Sequence, residues 1–562
     1  MKKMSLFHNK ILKLSSIIAL FLYWLFVVAG INLSLPIVAI PDEIPQLLNV
    51  YGIIQHTSFK LPYESYYTVW LHYSLLPFTI IFWVFKYLLI GMPSFSDYKI
   101  YVASNYLDVL PFLRSVSALL FIVSAWLLSK VVSDRWGKKI ANLFMIFLFC
   151  NLLIFINLHY SKHWIIDFSW LFLSIFLYWS YLKNSRNSYL IFSVIAFCFS
   201  VLSSHPLVLG VFYHFYLFTA NKKTKQDFFK DLGISLIIFL IFLLLTLWLG
   251  PGKILSEIIF GTLESQVQSG ISLKVISDSL IALIDYNLPL TLLFVFSLGF
   301  MAIKKDKEIF FLLLPFAFYL ILISTYQFES RYIIFLYMPM ALISAIVISR
   351  IKKMFIYYFI VGSTIVFNLS LLMIWNLTIT EKDTRIMALE WLKENTSNSS
   401  FVIYNTLGFN YEPFTDEGIQ FIQDNFPNAV GTREKLHTSL DLPDGINGVV
   451  LRRIEEAKYE GPELIRTIIE NGYEPILVNE RFGINAKHYQ SSEKSFNDIL
   501  NRCKYKTHKS FLPFDNMPND FEKYGDILYN FSNVIESLTI FDRPGPVVTL
   551  LMFDKEQPRS CK

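Results

Sequence analysis

The feature that most constrains this chain is a recurrence of long apolar runs. A helix rises about 1.5 Å per residue, so roughly 20 apolar residues cover the ~30 Å hydrocarbon core of a bilayer. Runs near that length lie at about 12–33, 111–131, 139–158, 166–183, 188–203, 206–221, 232–250, 286–303, 309–325, 332–349 and 354–376. They predict a polytopic α-helical membrane protein with about eleven transmembrane helices. Composition agrees, with 54% hydrophobic and 17% charged residues. Soluble domains are about half apolar and a quarter charged. The net charge of +5 is small, and Lys and Arg cluster in short connectors, which excludes a nucleic-acid-binding surface.

Those connectors set the expected topology. "MKK…HNKILK", "SKVVSDRWGKK", "YLKNSRNS", "NKKTKQDFFKD", "IKKDKE" and "SRIKK" are all basic, and the positive-inside rule places them in the cytoplasm. The first run is too long for a signal-peptide core and reads as a retained span. Residues 66–91 are apolar enough to cross, but crossing would put several basic loops outside. His72, Pro77 and Lys86 interrupt the segment, so it reads as one or two helices lying in the outer interface. The N-terminus is then cytoplasmic. The external features are a loop at about 34–110, the turn "LHYSKHWIID", a loop at about 251–285, the turn "TYQFESRY" and the polar C-terminal region.

Composition shifts sharply near Thr380. "TRIMALEWLKENTSNSSFVIYN" and "LIRTIIENGYEPILVNE" each read as a helix followed by a strand, and "GPVVTLLMFDK" as a late buried strand. Residues 380–562 are expected to form a soluble extracytoplasmic α/β domain after a transmembrane domain at 1–379. The region has no phosphate loop or nucleophile elbow, so binding or support is expected of it. Cys503 and Cys561 are free to pair if it lies in an oxidising compartment, whereas Cys150 and Cys198 lie in apolar runs as packing residues. No Cys/His spacing resembles a zinc site.

On this topology the external face gathers Asp42, Glu43, Arg114, Lys162, His163, Asp167, His205, Glu329 and Arg331, while the helix interiors are nearly free of charge. Ionisable groups beside apolar membrane are costly and mark function. Carboxylates can take a proton from an acceptor hydroxyl or amine, and cations can hold a phosphate leaving group. Bland readings stand beside these. An acidic pair suits a helix start, Asp167 suits a cap, and Arg114 suits a snorkelling anchor. Arg331 and Tyr332 read equally as an interfacial pair, and Lys162, His163 and His205 as solvated loop residues.

"PDE" after the first span, an amphipathic outer loop, Arg114 opening the second span, an Asp in "HYSKHWIID" and a late "RYIIFLYMPMALISA" occur in that order. Over about residues 10–350 the chain resembles the GT-C superfamily of integral-membrane glycosyltransferases. It is most similar to the protein O-mannosyltransferase and lipid A aminoarabinose transferase branch. The resemblance implies a polyprenyl-phosphate sugar donor, inversion at the extracytoplasmic face and multi-pass residence in a cell or inner membrane. It implies Asp42 as catalytic base, Glu43 as its neighbour in the acceptor site and Asp167 as a second acid lining the cavity. Arg114 and Arg331 would contact the donor phosphate or brace the carboxylates, Tyr332 would flank the carrier, and Lys162, His163 and His205 complete the candidate substrate-binding set. No cofactor is implied: some members of the superfamily use a divalent metal, but this branch generally requires none. The expected partners are the polyprenyl-phosphate donor, an acceptor left open among protein, lipid and glycan, and membrane lipids. The sequence departs from the family in its reduced "LPYESYY" element and in "SKHW". A multi-pass transporter, an envelope polysaccharide polymerase or ligase, and a scaffold are the rival functions. Against transport stand charges at one surface and no internal repeat.

Overall fold

The computed structural model describes residues 18–32, 35, 43–56, 69–91, 94, 97–98, 101–102, 105–161, 163–201, 207–221, 224–249, 270–325, 330–405, 414–430, 445–481, 493–514, 534–553 and 561. The chain divides into two compact units. One comprises Met1–Ile31, Asp42–Phe82 and Val109–Asn376, and the other Asn32–Pro41, Trp83–Asp108 and Leu377–Lys562.

The helices in chain order begin with α1 (Ile18–Ala29). There follow α2 (Glu43–His56), α3 (Val69–Ile90), α4 (Leu110–Trp136), α5 (Lys138–Phe149), α6 (Leu152–Leu158), α7 (His163–Asn184) and α8 (Asn187–Val201). Next come α9 (Leu207–Ala220), α10 (Lys225–Leu249), α11 (Leu273–Lys304), α12 (Lys307–Ile323), the 3-10 segment Ser330–Leu336, α13 (Tyr337–Ser349) and α14 (Met354–Thr380). Among the described residues seven helices are long and apolar enough to cross a bilayer, or eight if the bent pair α5–α6 is one span. Three more apolar helices, α1, α8 and most of α9, are shorter, so length alone does not give the expected eleven. The chain is an integral membrane protein.

Residues 69–90, expected as one or two helices, form one continuous helix that is long and apolar enough to cross a bilayer. Its interruptions are accommodated: His72 is buried, Pro77 sits inside the helix, and Lys86 is bonded to Asp108 between the Trp83 and Tyr101 rings. The stretch 273–285, expected to be loop, is the first part of α11. That helix is kinked at Asn287 (φ −158°, ψ 68°), ahead of Pro289.

Within the first unit α13 is the central element, packed by α5, α11 and α12. It is apolar all round, as a fully buried helix must be, and Ala341 and Ala345, one turn apart, let neighbours approach closely. α7 packs along α8 and α4. Ser174 and Ser193 lock α7 to α8 by reciprocal hydroxyl-to-carbonyl bonds of 2.8 and 2.9 Å. Gly210 lets α9 join them, since a Cβ there would meet the Phe197 ring at 2.3 Å. Peripheral α10 exposes Leu236, Ile237, Leu240, Ile241 and Leu244, a helical stripe suited to lipid.

The second unit contains α15 (Thr384–Asn395), β1 (Ser400–Tyr404), α16 (Asp416–Asn425), β2 (Gly448–Val450), α17 (Leu451–Glu456), α18 (Gly461–Glu470) and β3 (Glu474–Arg481). It continues with α19 (Glu493–Arg502), β4 (Tyr505–Phe511), α20 (Val534–Ile540) and β5 (Val547–Phe553). The sheet order is β2-β1-β3-β5-β4. β1 is parallel to β2 and β3, and β5 is antiparallel to β3 and β4. The three quoted stretches are α15–β1, α18–β3 and β5, and their apolar residues form one core with Leu389, Val402, Ile465, Leu477 and Leu550 buried. Cys503 and Cys561 are disulfide-bonded, while Cys150 and Cys198 are buried free thiols.

Peptide mapping without reduction is expected to recover Cys503 and Cys561 on one cross-linked species. Reduction is expected to cost the unit about 4 kcal/mol, the loop-closure value for a separation of 58 residues. Separate free-thiol peptides at both positions in the oxidised protein would contradict the pairing.

Candidate functional site

Glu43 opens α2, an acid in the first turn where the helix dipole favours it. Its carboxylate does more than complement a dipole. Arg114, in the first turns of α4, grips it as a fork, Nε donating to Oε1 at 3.1 Å and Nη2 to Oε2 at 2.6 Å. The guanidinium also donates from Nη1 to the Ile31 carbonyl at 2.9 Å, just past α1. Ser161, between α6 and α7, donates its backbone N–H (2.9 Å) and its hydroxyl (3.1 Å) to Glu43 Oε1. Both charged side chains are 0% exposed. A lone buried charge costs several kcal/mol, so a pair survives there only when further hydrogen bonds complete it. The planar guanidinium fork meets that demand and a lysine would not. The node therefore joins four places in the chain: the end of α1, the starts of α2 and α4, and the α6–α7 turn.

Beside the turn, His159 caps the end of α6, its ring centroid 4.8 Å from those of Phe155 and Trp375. Burial pushes the His159 imidazole down to about 4 despite the nearby Phe155 carbonyl, and the Arg114 cation adds to that push. His159 is thus neutral at physiological pH and adds no charge to the node.

A second cluster follows. α7 starts at His163, whose ring lies 4.1 Å from that of Trp164. Trp164 meets Tyr332 edge-on at 5.4 Å and Phe335 at 6.1 Å. The Arg331 guanidinium lies 5.7 Å from the rings of both Trp164 and Tyr332, a cation–π arrangement. Tyr319 of α12 fixes the 3-10 segment by donating to the Tyr332 carbonyl at 3.0 Å. Asp167 is fully buried one turn into α7, not at its cap, and its carbonyl accepts from Ser200 of α8 at 2.9 Å.

The structure thus brings Glu43 and Arg114 together, and joins His163, Arg331 and Tyr332 through Trp164. Asp42, Lys162 and His205 lie outside the described residues. Among the described residues no group of three or more His, Cys, Asp or Glu could hold a metal ion. Ser161, His159 and Trp164 were not singled out from sequence. A serine and two rings in a turn carry no spacing signal, and only the fold brings Ser161 to Glu43.

The far end of α4 differs. Arg135 lies 21 residues after Arg114, about 31 Å along a helix. There Arg135, Tyr216 and Trp136 converge on Glu308, and Lys183 pairs with Asp134. These ion pairs are a third to a half exposed, so each contributes only ~0–1 kcal/mol. The Glu43–Arg114 pair is buried, whereas the Arg135–Glu308 and Lys183–Asp134 pairs at the far end of α4 are partly solvated.

No family model matches the chain, and no curated protein matches it. Two crystal structures of ArnT from Cupriavidus metallidurans are similar to it, one bound to undecaprenyl phosphate and one in the apo state. Each is 10% identical with a TM-score of 0.48, covering 95% and 96% of this chain respectively and 98% of ArnT.

Arg114→Met should leave the Glu43 carboxylate buried and unpaired and cost about 3–5 kcal/mol. Glu43→Gln/Arg114→Met should cost less than the sum of the single changes. Thermal unfolding in detergent checks both, and additive effects would show that the pair is not coupled.

Proposed function

We propose that this chain is a membrane glycosyltransferase that moves a sugar from a polyprenyl-phosphate donor to an acceptor at the extracytoplasmic rim, with inversion at the anomeric carbon. The observation that carries the reading is the buried Glu43–Arg114–Ser161 node beside the Arg331–Trp164–Tyr332 cluster. Rigid anchoring of a loop start next to an aromatic-backed guanidinium is the preorganisation that transfer from a phosphate requires. The order of motifs in the sequence supports the same reading.

In this mechanism Asp42 takes the proton from the acceptor hydroxyl or amine. The acceptor atom forms its bond to the anomeric carbon from the face opposite the phosphate. The bond from that carbon to the phosphate oxygen breaks, and the lipid phosphate leaves with the electron pair. Arg331 stabilises the charge that develops on it, and Tyr332 flanks the carrier. Glu43 is a positioning residue, because its carboxylate already accepts from Arg114 and Ser161. Asp167 lines the cavity, and Lys162, His163 and His205 complete the substrate-facing set. Residues 1–379 form the transferase domain, and residues 380–562 form an extracytoplasmic domain whose disulfide suits an oxidising compartment.

Asp42→Asn should cut sugar transfer from a polyprenyl-phosphate donor about a hundred- to ten-thousand-fold with unchanged thermal stability. Glu43→Gln should lower stability and transfer together. Transfer assays in detergent with a labelled donor read both. Full activity in Asp42→Asn overturns the assignment of the base.

A further inference from the structure

We propose that Trp164 binds the substrate phosphate directly: its indole N–H, next to the Arg331 guanidinium, donates a hydrogen bond to a phosphate oxygen of the lipid-linked donor. This rests on the donor reading above and assigns a recognition element within it.

Trp164 is 3% exposed. Its Nε1 is fully enclosed and has no hydrogen-bond partner. A buried indole N–H is ordinarily satisfied, because leaving it unmade costs about 1–3 kcal/mol. Other indoles in the same unit follow that rule. Trp24 donates to the Ser115 carbonyl, Trp70 to Thr246, Trp170 to Ser74 and Trp179 to Asp134. Trp164 departs from it where the chain gathers charge, three residues after Ser161 of the Glu43 node and against the Arg331 guanidinium. A buried donor left without a partner beside a cation fits an acceptor that arrives with the substrate and carries negative charge.

The ring is held independently of that bond. His163, Tyr332 and Phe335 contact it, and no element depends on the N–H. A neutral donor here adds an oriented hydrogen bond where Arg331 supplies charge. Together they distinguish the phosphate from the hydroxyl of an unphosphorylated polyprenol.

The test is binding of a polyprenyl phosphate and of the matching polyprenol to the full-length protein in detergent. The parent should bind the phosphate more tightly. Trp164→Phe, which keeps the aromatic packing, should weaken the phosphate about 10- to 100-fold and the alcohol hardly at all. Replacing Trp164 with benzothienylalanine, which exchanges only the N–H for sulfur, should do the same with no fall in Tm. If the parent prefers the phosphate and both variants bind it as tightly as the parent, the indole role is wrong and the donor reading stands. If the parent binds phosphate and alcohol equally, the donor reading fails and this inference fails with it.

Discussion

One buried ion pair organises the candidate site. Glu43 and Arg114 are 71 residues apart in sequence and neither is exposed. Burying two charges is tolerable only because their contact is a fork and because Ser161 and the Ile31 carbonyl take up further hydrogen-bonding capacity. That satisfaction ties three connections of the bundle to one point. The pair therefore has a positional consequence, which is a stronger reason for its presence than any net gain in stability.

Elsewhere in the bundle polar side chains pair across helices. Ser174 with Ser193, and Asn287 with Asn368 at the α11 kink, join helices where lipid offers no partner. Discontinuities are also capped. Asn151 accepts from the Ile154 N–H where α5 and α6 meet at a 66° bend, and α6 then leads directly to the Ser161 turn. That short capped half-helix is how the chain delivers Ser161 to Glu43.

Periodicity and length made the helical segments legible in sequence, because a run of apolar residues is a direct requirement of the bilayer. The helix–strand alternation after Thr380 was legible for the same reason: α15–β1 and α18–β3 pass from one period to the other across short turns. The partners that accommodate the interrupting residues of the 66–91 segment were not legible in sequence. Lys86 is tolerated through Asp108, a contact no hydropathy window contains. Glu43 and Arg114 were legible as candidates, and bracing of the carboxylates by Arg114 was one of two roles the resemblance implied; the fold shows that bracing at Glu43, so the acid is occupied. Ser161 and Trp164 were illegible because what distinguishes them, two bonds to Glu43 and an unmet indole N–H, exists only in three dimensions.

The central claim is that a lipid-borne sugar phosphate meets its acceptor at the Glu43–Arg114 end of the bundle. The most direct measurement is mass analysis of lipid-linked sugars and surface glycans in cells with and without this protein. The account predicts that loss of the protein leaves one polyprenyl-phosphate sugar in excess and removes that same sugar from one class of acceptor. Unchanged lipid-linked sugars together with unchanged glycans would contradict it.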